Sequence, residues 1–370
     1  MLLNRIIKIV LAVGAAFVVL AFLCSGTLFV ISGGRPLDFV QTELIRLRLA
    51  GRQDDLNRAA GTDPRPLRFT VASGEPPRSV ARRLFEQGLI TDADLFVDYV
   101  RVTRLDVEIE AGTYFLSQVQ TIPQIAVMIT DSRSSFIPFR ILEGWRLEEI
   151  AAAVDGNGLF SFTGADFLAV VRPGADVSAA FAQYVDFPPG ASLEGFLFPD
   201  TYQLPPDITP AGLRDTLIET FLERVDPQLK AEAAAQGLSL YNVVTLASIV
   251  QRESVHAEEN PQIAAVYRNR LSIGMKLDAD PTVQYGIGYK DGSWWPQITQ
   301  ADYTNAVHEY NTYLRAGLPP GPIANPGLSA IHAVVFPAVS DYYYFRAACD
   351  GSGFHNFART FAEHLANACT

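Results

Sequence analysis

The chain has 370 residues, 49% of them hydrophobic, enough to bury a substantial core and to divide into two or three folded units. A net charge of -11 and a pI near 5.0 offer no clustered basic face for nucleic-acid phosphates. The three cysteines form no CxxC pair, which argues against a cysteine-based metal or redox site.

After Arg5 and Lys8, residues 9–32 carry no charge and are mostly apolar, roughly 36 Å of helix and enough to cross a bilayer with some tilt. Small-x-small cleavage residues do not close the run cleanly, and Leu23 is a poor residue before a lipidated Cys24, so an uncleaved anchor is expected. Residues 1–8 then stay cytoplasmic and the rest is exported. That predicts a single-pass protein of the inner or plasma membrane with an extracytoplasmic body.

Residues 33–66 read as a juxtamembrane stalk, helical from Asp38 to Arg52. From Leu67 a strand-like run leads through Gly74 into an amphipathic helix with Val80, Ala81 and Leu84 on one face. The pattern returns seventy residues later, since Phe69/Phe139, Val71/Ile141, Gly74/Gly144, Val80/Ile150 and Ala81/Ala151 share one offset. The strand, turn and helix resemble the opening of a LysM-type glycan-binding module, although the same pattern also suits a βα unit that merely packs. Residues 67–138 form this small α/β subdomain and residues 139–370 a mainly helical α+β domain. Within the latter, 155–203 reads as loop-rich and 226–314 as mostly helical. Strands are expected again at Tyr342 to Arg346, before a last helix from Thr360 to Ala366.

Chemistry concentrates near residue 250. On a helix, Val243, Leu246, Ile249 and Val250 share a stripe that also contains Glu253. A carboxyl there loses solvation of its charged form, so its pKa should rise, as a general acid requires; a buried carboxyl that caps a helix or pairs with an arginine gives the same pattern. The next helix opens at Asn260 as N-cap with Pro261 following, and puts Arg270 on its apolar face, where it needs Glu253, Asp278 or Asp280, or several carbonyls, as partner. Aromatic residues mixed with Asn, Asp and Thr, around Glu194, from Asp280 to Tyr285 and from Tyr310 to Ile323, suit a sugar groove, though each alone also suits turn packing. The five histidines show no HExxH, and no nucleophile elbow or phosphate loop is present, which leaves zinc and serine hydrolases without support. Cys349 and Cys369 either pair after export or remain free thiols; the sequence leaves both open.

Together these stretches resemble the endolytic murein transglycosylase family. The residues that carry the resemblance are Glu143-Gly144-Trp145, Leu193-Glu194-Gly195 with Pro199-Asp200-Thr201-Tyr202, Ala247-Ser248-Ile249-Val250 with Glu253, Asn269-Arg270-Leu271 with Gly274-Met275, Asp280-Pro281-Thr282, Tyr310-Asn311-Thr312-Tyr313, and the run from Gly317 to Ile323. His355, Phe357 and His364 fit as well, and the likeness runs from about Leu67 to the C-terminus. Ser254 departs from the Thr that commonly follows the family's acid, and keeps the hydroxyl. The resemblance implies cleavage between MurNAc and GlcNAc with a 1,6-anhydro-MurNAc end, terminating nascent strands near the membrane. Glu253 is the acid/base, and Ser254, Asn269, Arg270, Asp280, Thr282, Tyr310, Asn311 and Glu194 are groove residues. Neither metal nor cofactor is implied; the partners are glycan strands, the membrane and peptidoglycan synthases. Competing expectations are a hydrolase in which Asp280 or Glu194 activates water, and a non-catalytic wall-binding scaffold that recruits synthases.

Overall fold

The computed structural model describes residues 35–131 and 135–369, so the expected cytoplasmic residues 1–8 and membrane segment 9–32 lie outside the described residues. Among the described residues no single helix is long and apolar enough to cross a membrane. The architecture is mixed α+β and helix-rich, with three two-stranded antiparallel sheets among the described residues. The chain divides into two compact units between Phe136 and Ile137.

In the first unit, helix α1 (Pro36–Ala50) is followed by β1 (Leu67–Val71), α2 (Pro77–Glu86), α3 (Ala93–Thr103), β2 (Gly112–Leu116) and α4 (Ile122–Met128). Strands β1 and β2 pair with Phe69 opposite Tyr114, and both rings face the core. Gly74 takes a left-handed φ of 72°, which lets the chain turn from β1 into α2, whose Val80, Ala81 and Leu84 are buried as their spacing predicts. The segment read as a stalk belongs to this unit. Ile45, Leu49 and Leu56 bury in the same core, and Arg52 bonds Asp92 at 2.9 Å. The reason is that α1 carries its own apolar stripe.

The second unit repeats the opening: β3 (Ile137–Arg140), a turn at Gly144 with φ 79°, then α5 (Leu147–Asn157), which buries Ile150, Ala151 and Val154. Its strand partner is β4 (Thr201–Leu204), with Phe139 opposite Tyr202. Residues 155–203 are more ordered than their Gly and Pro content suggests. A capping box in which Thr163 and Asp166 bond each other's backbone starts a helix at Gly164–Val171, and Ser178 caps another at Ala179–Val185.

Helix α6 (Leu240–Glu253) runs through the middle of this unit. Ser239 caps its start, and Val243, Ile249 and Val250 are fully buried. Each such side chain contributes about 1.5–3 kcal/mol on leaving water. It packs against α7 (Asn260–Ser272), α8 (Asp280–Ile287) and α9 (Leu328–Val335). Asn260 is the first helical residue of α7 and Glu259 the cap, one position earlier than expected. Helical structure continues to Ile287 and then gives way to irregular chain, with a single turn at Asp302–Asn305, before Leu314. The chain ends in a hairpin of β5 (Tyr344–Ala347) and β6 (His355–Ala358) with α10 (Phe361–Ala366), and Cys349 is bonded to Cys369.

Candidate active site

The last residue of α6 is Glu253, and the turn after it is pinned. Ser254 Oγ donates to Asn260 Oδ1 at 2.5 Å, and Asn260 Nδ2 donates to Ser329 Oγ of α9 at 3.2 Å. Two turns into α7, Tyr267 reaches back and donates its hydroxyl to Glu253 Oε1 at 2.6 Å. The carboxyl therefore has one oxygen fixed by a neutral donor. It lines a cavity of about 510 Å³ whose wall is shared by Tyr267, Arg270, Asp278 and Asp280, by Tyr303 and Tyr313, and by the C-terminal residues Tyr344, Phe345, Arg346, His355, Phe361 and His364.

Burial pushes Glu253 up to about 7. The Tyr267 hydrogen bond opposes the rise, the charge of Asp280 adds to it, and Arg270 and Arg252 draw it back. Tyr267 is itself raised well above the ordinary tyrosine value by burial and by the carboxyl beside it, so it remains a donor. Asp280, at the start of α8, accepts from Tyr313 Oη at 2.6 Å and Tyr303 Oη at 3.4 Å, and these two rings stack 4.2 Å apart. Arg270 donates to the carbonyls of Tyr343 at 2.6 Å and Leu277 at 2.5 Å and lies 3.9 Å from Asp278. Burial raises Asp278 against the pull of Arg270 and Lys276. The arrangement supplies a protonatable carboxyl, a second carboxyl and aromatic walls in one open space.

Of the expected site residues, Glu253, Arg270 and Asp280 meet in this cavity. Others are engaged with the scaffold, because a short polar side chain in a tight fold meets backbone first. Asn269 holds the carbonyls of Ser340 and Tyr342, and Thr282, fully buried, bonds Ala279 O and Thr312 Oγ1. Asn311, also fully buried, ties the carbonyls of Tyr303 and Ala306 and receives the Tyr313 N–H. Ser254 is the pin of the turn already described. Glu194 and Tyr310 lie in another cluster and line no part of the cavity: Glu194 accepts from Leu147 N and Asn325 Nδ2, both at 3.2 Å, and Tyr310 packs on Tyr285 at 4.8 Å. The run from Gly317 to Ile323 packs as a turn on α6, with Ile323 N–H on Ser248 Oγ.

Tyr267, Tyr303, Tyr344, Phe345, Arg346 and Phe361 were not expected at the site. Tyr267 carries a signal of its own, as a hydroxyl-bearing residue on the apolar face of the helix that follows the acid. Among the described residues no group of three or more His, Cys, Asp or Glu side chains is arranged to hold a metal ion.

Residues 69–370 match the YceG-like family. The chain belongs to that family. Among YceG-like relatives, the endolytic murein transglycosylase of Bacillus subtilis (strain 168) is 28% identical over 311 residues, covering 80% of this chain and 82% of its own. The endolytic murein transglycosylase of Streptococcus pneumoniae (serotype 2, strain D39) is 27% identical over 319 residues, and this chain spans 58% of its length. The crystal structure of a yceG-like protein from Listeria monocytogenes, 26% identical, superposes with a TM-score of 0.55 over 82% of this chain and 99% of that one.

Proposed function

We propose that this YceG-like chain is a lyase that cuts peptidoglycan glycan strands internally, a lytic transglycosylase with Glu253 as its acid/base. The observation that carries the proposal is a carboxyl pushed up to about 7 in the wall of a polar and aromatic cavity of about 510 Å³. The name borne by the Bacillus and Streptococcus relatives supports the same reaction.

With Tyr267 on Oε1, the other carboxyl oxygen holds the transferable proton. That proton passes to the glycosidic oxygen as its bond to C1 of MurNAc breaks. Positive charge develops at C1, and the carboxylate of Asp280 in the same cavity offsets it. Glu253, now ionised, takes the proton of the same sugar's C6 hydroxyl while that oxygen attacks C1. The products are a free GlcNAc hydroxyl and a 1,6-anhydro-MurNAc end, and Glu253 is protonated again. No water is consumed, so a second carboxyl is not obligatory as it is in ordinary glycosidases.

Residues 9–32 serve in this proposal as the anchor, with the body outside the membrane, residues 67–138 as a LysM-like glycan contact and cutting of nascent strands beside their synthases as the outcome. The Cys349–Cys369 bond supports the extracytoplasmic placement, since disulfides persist in oxidising compartments. A hydrolase of the same glycan is the second reading, favoured by Asp280 sharing the cavity, where it would activate water. Digestion of purified glycan with wild type and Glu253→Gln, followed by mass analysis of the ends, tests both. Ends lighter by one water than reducing ends are expected; reducing ends alone point to the hydrolase, and full activity of Glu253→Gln ends both.

A further inference from the structure

The cations in the cavity wall are not alike. Arg270 is engaged by the carbonyls of Tyr343, Leu277 and Lys276, by Asp278 and by the Tyr344 ring. Arg346, half-buried on β5, lines the same cavity, yet among the described residues no carboxylate, carbonyl or ring takes its guanidinium. A guanidinium keeps its charge at any physiological pH and presents a planar fork of donors, so leaving it unpaired in a partly dry wall is unfavourable until an anion arrives.

A second orphan lies beside it. His364 of α10 has its Nδ1 buried without a partner. Burial and the positive charges of Arg346 and Arg270 hold this imidazole below its ordinary range, so at neutral pH it offers a hydrogen bond rather than another charge. The rings of Tyr344 at 5.5 Å and Phe361 at 6.0 Å flank His364. The cavity wall thus carries carboxyls from α6 and α8 together with the guanidinium of Arg346 from β5 and the imidazole of His364 from α10.

We propose that Arg346, with His364 beside it, forms a carboxylate subsite that receives an acid group on the muramyl side arm of the glycan. The group is either the free lactyl carboxylate of a peptide-stripped strand or a carboxylate of the stem peptide. The subsite rests on the glycan-cleaving function proposed above, and adds to it a selection for charged side arms. A charge-assisted fork of this kind contributes about ten- to a hundredfold in affinity.

The test uses the full chain in detergent micelles as wild type, Arg346→Ala and Arg346→Lys, with melting curves for each. Uncross-linked strands are supplied peptide-bearing and peptide-stripped, each before and after conversion of their carboxylates to methylamides. The readout is the ratio of kcat/KM for the carboxylate form over the methylamide form. Wild type should prefer the carboxylate form, and Arg346→Ala should reduce that preference about ten- to a hundredfold, chiefly through KM, with Arg346→Lys recovering part of it. A preference confined to peptide-stripped strands assigns the lactyl carboxylate, and one confined to peptide-bearing strands assigns the stem peptide. An equal fall on both forms, leaving the ratio intact, marks a merely structural arginine and overturns the subsite. So does an Arg346→Ala chain that behaves as wild type. A wild type that cuts none of the four strands, no better than Glu253→Gln, instead brings down the glycan-cleaving function and the subsite with it.

Discussion

Two glutamates in the second unit are lifted by burial, Glu253 to about 7 and Glu194 to about 8, and their surroundings differ in kind. Glu194 is 1% exposed and accepts from Leu147 N, Asn325 Nδ2 and, at 3.4 Å, Tyr285 Oη. Asn325 in turn receives the N–H groups of Gly195 and Leu197 at 3.0 Å, and Arg146 sits over the rings of Tyr285 and Trp294. Glu253 has one hydroxyl donor and an open cavity. A displaced pKa therefore marks a carboxyl removed from water; whether a substrate can reach it separates an acid catalyst from a strut.

Substitutions at the two positions should part sharply. Glu253→Gln should lower kcat by about a thousandfold, the scale of a lost general acid, while the variant stays folded with a cooperative melting transition. Glu194→Ala should act through the fold: orphaning the Leu147 N–H and the Asn325 amide in a sealed site costs about 3 kcal/mol, seen as a melting point lower by about 6–12 °C. A Glu194→Ala chain that melts normally but cannot cut would reverse the assignment of roles.

Tyr267→Phe tests how Glu253 is tuned. The lost hydrogen bond draws the carboxyl down in wild type, so its alkaline limb in kcat/KM, placed near pH 7 by the loss of the catalytic proton, should move upward, with a rate loss of about tenfold. A limb that stays in place in Tyr267→Phe would mean another group sets it.

A further effect is on stability. Because the folded-state value of Glu253 lies above the ordinary 4.5, the folded chain binds this proton more tightly than the unfolded one. The contribution is complete below about pH 4.5 and is lost as pH rises to about 7. Allowing for the partial exposure of the side chain, the loss is about 1–3 kcal/mol. Glu253→Gln should escape it, so denaturant titrations should find the variant gaining on wild type between those pH values; parallel curves would place Glu253 in water.

How much of this could be read from the sequence depends on how local the cause was. Glu253 and Arg270 were legible because helical spacing puts a charge on an apolar face, and Asp280 through its polar-aromatic cluster and the resemblance. The two strand-turn-helix openings were legible because the same apolar and glycine positions recur at one offset, with Phe69 and Phe139 as their marks. Asn269, Thr282 and Asn311 bond the scaffold and do not line the cavity, because a side chain that can bond a sugar can equally bond a carbonyl, and only the fold decides which is nearer. Of the C-terminal wall only His355 and His364 were legible, through the resemblance; Arg346 of β5 and Phe361 of α10 line the same cavity as Glu253 from far along the chain, and no periodicity reports which side chains that segment leaves unpartnered.

The bond between Cys349 and Cys369 brackets the segment that carries His355, Phe361 and His364 into the cavity. With a separation of 20 residues, closing that loop restricts the unfolded segment by about 3 kcal/mol. A chain still in a reducing environment would thus have its acid in place but one wall of its cleft untethered. On the extracytoplasmic placement proposed above, oxidation is the step that tethers that wall.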